Sequence, residues 1–88
     1  MENLVVEFMA DGRQYFADVE LNGTADSWRA HAKISGPSPI KELNITYRLG
    51  DFLSPMFLSK ANLYFFSPLL DAVAEKAAIL LPSQSIQA

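Results

Sequence analysis

Eighty-eight residues with a formal charge of −3, half of them hydrophobic and 11% aromatic, are the composition of one small globular domain, not of a disordered acidic segment. No cysteine is present, which excludes a disulfide framework and thiolate metal sites. The apolar runs fall short of the ~20 residues that cross a bilayer, and the acidic start Met1-Glu2-Asn3 does not look like a secretory leader, so a cytoplasmic protein without a membrane segment is expected.

The chain opens with strand signals. Alternating runs over 2–10 and 13–21 flank Asp11-Gly12, a dipeptide suited to a two-residue hairpin turn with both central φ angles positive. Asn22-Gly23 is a second dipeptide of the same kind and predicts a hairpin into a strand over 24–35. Pairing Ala10 with Arg13 and Leu21 with Thr24 sets the registers. Phe8 then faces Tyr15 in the first pair; Ala17 faces Trp28 and Tyr15 faces Ala30 in the second. One face collects Leu4, Val6, Phe8, Tyr15, Ala17, Val19, Leu21, Trp28, Ala30, Ala32 and Ile34, with large residues set against alanines. Residues 42–49 alternate again, with Leu43, Ile45, Tyr47 and Leu49 inward, and predict a fourth strand.

Ser54-Pro55 suggests a short helix over 55–62, and 61–66 reads as a fifth strand. Ser67-Pro68 combines a cap residue with a first-turn proline, so a helix over 68–81 is predicted, stopped by Pro82. Leu69, Leu70, Val73, Ala77, Leu80 and Leu81 share its apolar arc, with Asp71 and Glu75 opposite. The tail 83–88 is expected to fray. The fold class is therefore α+β: an antiparallel β-meander of four to five strands with a C-terminal helix packed on one face.

No catalytic or cofactor motif stands out. The glycines mark turns and loop ends, and none sits in a phosphate-cradling loop. The opposite parity of the third strand carries Arg29, His31 and Lys33, a candidate anion-binding stripe. In the expected register Arg29 opposes Phe16, with Asp18 diagonal, and Gln14 opposes His31. Such a stripe is more simply the wet side of a sheet. Nucleic-acid binding is opposed by the charge balance: the first 26 residues carry six acids and one base, and the remainder four acids and six bases. An enzymatic role for the lone histidine lacks an orienting carboxylate, and Ser27 and Ser35 lie four residues away along the strand, roughly 13 Å. No cofactor or metal is implied.

What exceeds an ordinary globule is the segment 52–70, rich in aromatic and aliphatic side chains. Phe52, Phe57, Tyr64, Phe65 and Phe66, with Ile79 on the outer side of the helix, form a candidate partner-binding set, because a small core cannot easily absorb them all. The outer sheet face adds Val5, Met9 and Phe16. The expectation is a small acidic, non-catalytic protein-interaction module, such as an inhibitor, adaptor or subunit, with a protein partner or itself as a homodimer. Two alternatives are a ligand-binding or enzymatic pocket between sheet and helix, with polar tips from Tyr15, Tyr47 and Trp28, and an anion or nucleic-acid platform on the outer face.

Overall fold

Asp11 and Gly12 take φ angles of 51° and 74°, the backbone of the mirror-image turn whose twist matches that of flanking strands. Around it, a computed structural model, which describes residues 1–49, 51–52 and 60–83, pairs β1 (Glu2–Ala10) with β2 (Arg13–Thr24). The register is the expected one, with Ala10 against Arg13, Phe8 against Tyr15, Val6 against Ala17 and Leu4 against Val19.

The second hairpin differs. Asn22-Gly23 is not a turn; β2 runs through it, and Ala25 and Asp26 connect to β3 (Ser27–Ile34). Neither turn residue has a positive φ, and the departure from ordinary dihedrals is moved to Gly23, at φ 121°. The partners of Ala17, Val19 and Leu21 become Ile34, Ala32 and Ala30. Physical reasons favour this register. The expected one would set Asp26 against Val19 on the apolar face, where an unpaired carboxylate is costly. The observed one moves Asp26 to the turn and opposes Leu21 to Ala30, Val19 to Ala32 and Gly23 to Trp28, large against small. It also sets Asp18 opposite Lys33 and Glu20 opposite His31. Because the shift is an even number of positions, the side-chain faces survive it.

β4 (Glu42–Arg48) pairs antiparallel with β3, Ala30 against Ile45 and Ala32 against Leu43. β5 (Asp51–Phe52) adds two residues beside Tyr47 and Arg48. The sheet order is β1-β2-β3-β4-β5, an antiparallel meander. In the β3–β4 connection, Ser38 is buried and its hydroxyl donates to the Ile40 carbonyl at 2.6 Å.

α1 (Lys60–Leu80) is longer than expected. Residues 61–66, expected as a strand, are its first turns, and of the expected helix over 55–62 only 60–62 lie among the described residues, as part of α1. Ser67-Pro68 is not the start: Pro68 lies inside the helix. Proline has no N–H to give the Tyr64 carbonyl, but apolar anchors stand on both sides of it. Phe66, Leu69, Leu70, Val73 and Ala77 are buried at helical spacing, and each large one contributes roughly 1.5–3 kcal/mol of burial. That outweighs one missing hydrogen bond. Leu80, expected on the same arc, is exposed.

The helix packs on the inner sheet face, above β1. Phe8, Tyr15, Phe65 and Phe66 form an aromatic cluster between the layers: Phe8 stacks on Tyr15 at 5.4 Å and Phe65 meets Tyr15 edge-on at 5.3 Å. At the other end the Pro82 carbonyl accepts from the Ala25 N–H at 2.9 Å, tying the chain beyond the helix to the β2–β3 turn. Ala17, Ala30 and Ala32, all buried, keep the middle of the inner face low.

Candidate functional site

The outer face is built by the residues left over from the core. On β3 the alternation buries Trp28, Ala30, Ala32 and Ile34, so Arg29, His31 and Lys33 face outward together, as expected. Their neighbours are not the expected ones. Arg29 lies between Asn22 and Thr46, and not beside Phe16; His31 lies between Glu20 and Asn44, and not beside Gln14; Lys33 lies between Asp18 and Glu42. The His31 Nε2 is 2.9 Å from Glu42 Oε1, so the histidine does have a carboxylate partner. It sits on an open face, and Ser27 and Ser35 remain four residues away along the strand, with Thr46 on β4 diagonal to His31. Lys33 and His31 are thus set among acids, a poor seat for an anion.

Arg29 has a different company. A depression of about 430 Å³ is lined by Asn22, Ser27, Arg29, Thr46 and Arg48 among others, and the register makes Arg29 and Arg48 diagonal neighbours on β3 and β4. Arg48 was not singled out from the sequence, although its outward parity on the fourth strand was the available signal. Asp51 faces Arg48 from β5, so this corner is not purely cationic.

The expected partner-binding residues divide. Phe66 is 0% exposed and is a core residue; its place on a helix facing Phe8, instead of on a strand, is the reason. Phe65 is partly buried against the same cluster. Tyr64 and Ile79 project from the helix, 83% and 71% exposed. Phe52 lies in β5, paired with Tyr47, and Phe57 lies outside the described residues.

Exposed apolar side chains also gather on β1 and β2, besides Leu63, Tyr64, Ile79 and Leu80 on α1. Val5, Met9 and Phe16 are 61%, 55% and 45% exposed. Because Val5 pairs with Asp18, Glu7 with Phe16 and Met9 with Gln14, the Phe16 ring is diagonal to both Val5 and Met9. The three surround Glu7, whose carboxylate accepts a 2.6 Å hydrogen bond from the Gln14 amide. Met9 also borders a cleft of about 290 Å³ shared with Tyr64 and Pro68 on α1, so the apolar strip continues around the sheet margin onto the helix. The sequence signal was available: apolar residues at outward parity in the first two strands.

Between sheet and helix, Tyr15 and Trp28 are buried, and Trp28 stacks on Tyr47 at 5.0 Å. These three proposed polar tips sit in packed aromatic contacts. A groove of about 640 Å³ does open where Tyr15 and Phe65 reach the end of the sheet, lined also by Asp11, Arg13, Pro37 and Tyr64. Its charged groups are one of each sign. Among the described residues no group of histidines and carboxylates could hold a metal ion, and no helix is long and apolar enough to cross a membrane. Comparison with known protein families, characterised proteins and solved structures finds no match for this chain.

Proposed function

We propose that this chain is a non-catalytic protein-interaction domain, an inhibitor, adaptor or subunit, that engages its partner with the β1 side of the sheet. The observation that carries the reading is the apolar strip of Val5, Met9 and Phe16, continued by Tyr64 across the sheet margin. A chain of this size has little core to spare, and exposed apolar side chains gathered in one place are the usual mark of a contact surface. Ile79 lies outside this strip on the helix and belongs to a rim at most. The partner is another protein or a second copy of this chain, and either would cover the same side chains.

Site-specific photocrosslinking in the native host tests this. A photoreactive side chain at Phe16 should capture a discrete protein, whereas the same group at Asn44, on the β4 side of the same face, should not. Equal capture from both positions, or none from Phe16, would remove the β1 side as the docking surface.

A further inference from the structure

β1 is the margin of the sheet: β2 is its one ladder neighbour among the described residues. Which of its backbone groups are free follows from the hairpin. In a two-residue hairpin the pair closing the turn exchanges both hydrogen bonds, so Ala10, Phe8, Val6, Leu4 and Glu2 bond to β2. The intervening residues, Asn3, Val5, Glu7 and Met9, then direct N–H and C=O away from β2. An independent contact agrees. The Phe16 carbonyl accepts from the Ser35 N–H at 2.9 Å, on the β3 side, so Phe16 and its partner Glu7 do not bond to each other.

Natural sheet margins are blunted by proline, charged side chains, a bulge, brevity or a covering helix or loop. Of these β1 carries only the charges Glu2 and Glu7, with α1 packed over its inner face. The strand is nine residues long, its register is unbroken, and it contains neither proline nor lysine. Its side chains suit an additional strand on both faces. Val5 and Met9 are exposed outward on either side of Glu7, and inward Leu4 is only partly buried beside Val6.

Charge selects the occupant. Glu7 on β1 and Asp18 and Glu20 on β2 share the outer face and form an acidic band along this margin, while Glu2 has the inner parity at the start of β1. A second copy pairing through β1 would bring this acidic band against itself. We therefore propose that β1 accepts an extended segment of another protein, one whose apolar residues alternate with polar ones and which places a lysine or arginine opposite Glu7. This rests on the interaction reading above and specifies its mode: main-chain hydrogen bonds supply the affinity, and alternate side chains the selectivity.

The probe is an acetylated fluorescent peptide, Thr-Val-Thr-Val-Lys-Val-Thr-Val-Thr, with a twin carrying Glu in place of Lys, titrated into the full chain. The lysine peptide should bind at least tenfold tighter than its twin. Amide exchange should slow at Asn3, Val5, Glu7 and Met9, with the other β1 amides unchanged. Val5→Pro removes one outward N–H without touching the ladder to β2 and should weaken binding at least tenfold. Glu7→Lys, a surface change that spares the backbone, should invert the preference between the two peptides. Failure of the lysine peptide to bind, no inversion in Glu7→Lys, or undiminished binding by folded Val5→Pro overturns strand addition. Protection of the four amides without peptide, together with concentration-dependent sedimentation, overturns it in favour of a second copy. If Phe16 crosslinking persists in Val5→Pro, the interaction surface stands and its mode is docking on the face.

Discussion

Gly12 and Gly23 belong to the same kind of dipeptide, yet the structure uses them differently. Gly12 occupies the turn at φ 74°, and a Cβ there would meet nothing within 4 Å. Gly12→Ala therefore costs only the left-handed backbone, roughly 1 kcal/mol. Gly23 lies within β2 at φ 121°, and a Cβ would come within 2.4 Å of the Ser27 carbonyl oxygen and 2.8 Å of the Trp28 Cα. These are backbone atoms of the facing strand and cannot step aside. Gly23→Ala should cost roughly 2 kcal/mol or more, through both strain and displacement of β3. Denaturant melts of the two variants separate the cases. Equal losses would return Asn22-Gly23 to the role of a simple turn. The same residue shows what was legible in the sequence and what was not. The faces of β1 to β4 followed from alternation, because parity is local; Leu49, expected inward, lies instead past the end of β4 at φ 49° and is 77% exposed. Register between β2 and β3 did not follow from alternation, because it depends on which large residue meets which small one across the sheet.

At the level of the element, α1 illustrates how a correct local rule can mislead. Ser-Pro is a good helix start, and nothing nearby in sequence contradicts it. The helix nevertheless begins at Lys60 and carries Pro68 within it, because Phe66 on one side and Leu69 and Leu70 on the other all need the same inner sheet face. Tertiary burial thus overrides the terminating signal. The cost left behind is specific: Tyr64 has no N–H at position 68 to accept. Pro68→Ala should restore that hydrogen bond and raise stability by roughly 1–3 kcal/mol, read as an upward shift in thermal midpoint. Were Pro68 the first helical residue, the change would be neutral or slightly destabilising. Of the candidate partner-binding residues, Phe66 went to the core, because on a helix it faces Phe8, whereas Tyr64 and Ile79 stayed exposed. Val5, Met9 and Phe16 were visible as outward apolar residues, but adjacency across strands is what turns three scattered side chains into a strip.

For the whole molecule, the connectivity makes the two ends of the chain depend on each other. The sheet is assembled from neighbouring hairpins, but the first strand is covered by the last element: Phe8 on β1 contacts Phe65 and Phe66 on α1. The opposite end is closed by Ala25 and Pro82. Without α1 the sheet would present Val6, Phe8, Tyr15 and Leu21 to water, an apolar face of the kind a few-stranded sheet needs to cover. Conversely, a 21-residue helix interrupted by proline has little stability of its own. Neither layer is expected to persist alone, so the domain should unfold as one unit. Trp28 provides the test, since it is buried on β3 against Tyr47, away from the Phe8–Phe66 contact. Its fluorescence and the far-ultraviolet circular dichroism of the helix should give one denaturation midpoint. Phe66→Ala, which opens the core under α1 and costs roughly 3–5 kcal/mol, should lower both midpoints together. A variant whose helix signal melted early while Trp28 stayed buried would show that the β3–β4 half stands by itself, and that α1 is a detachable cover instead of half the core.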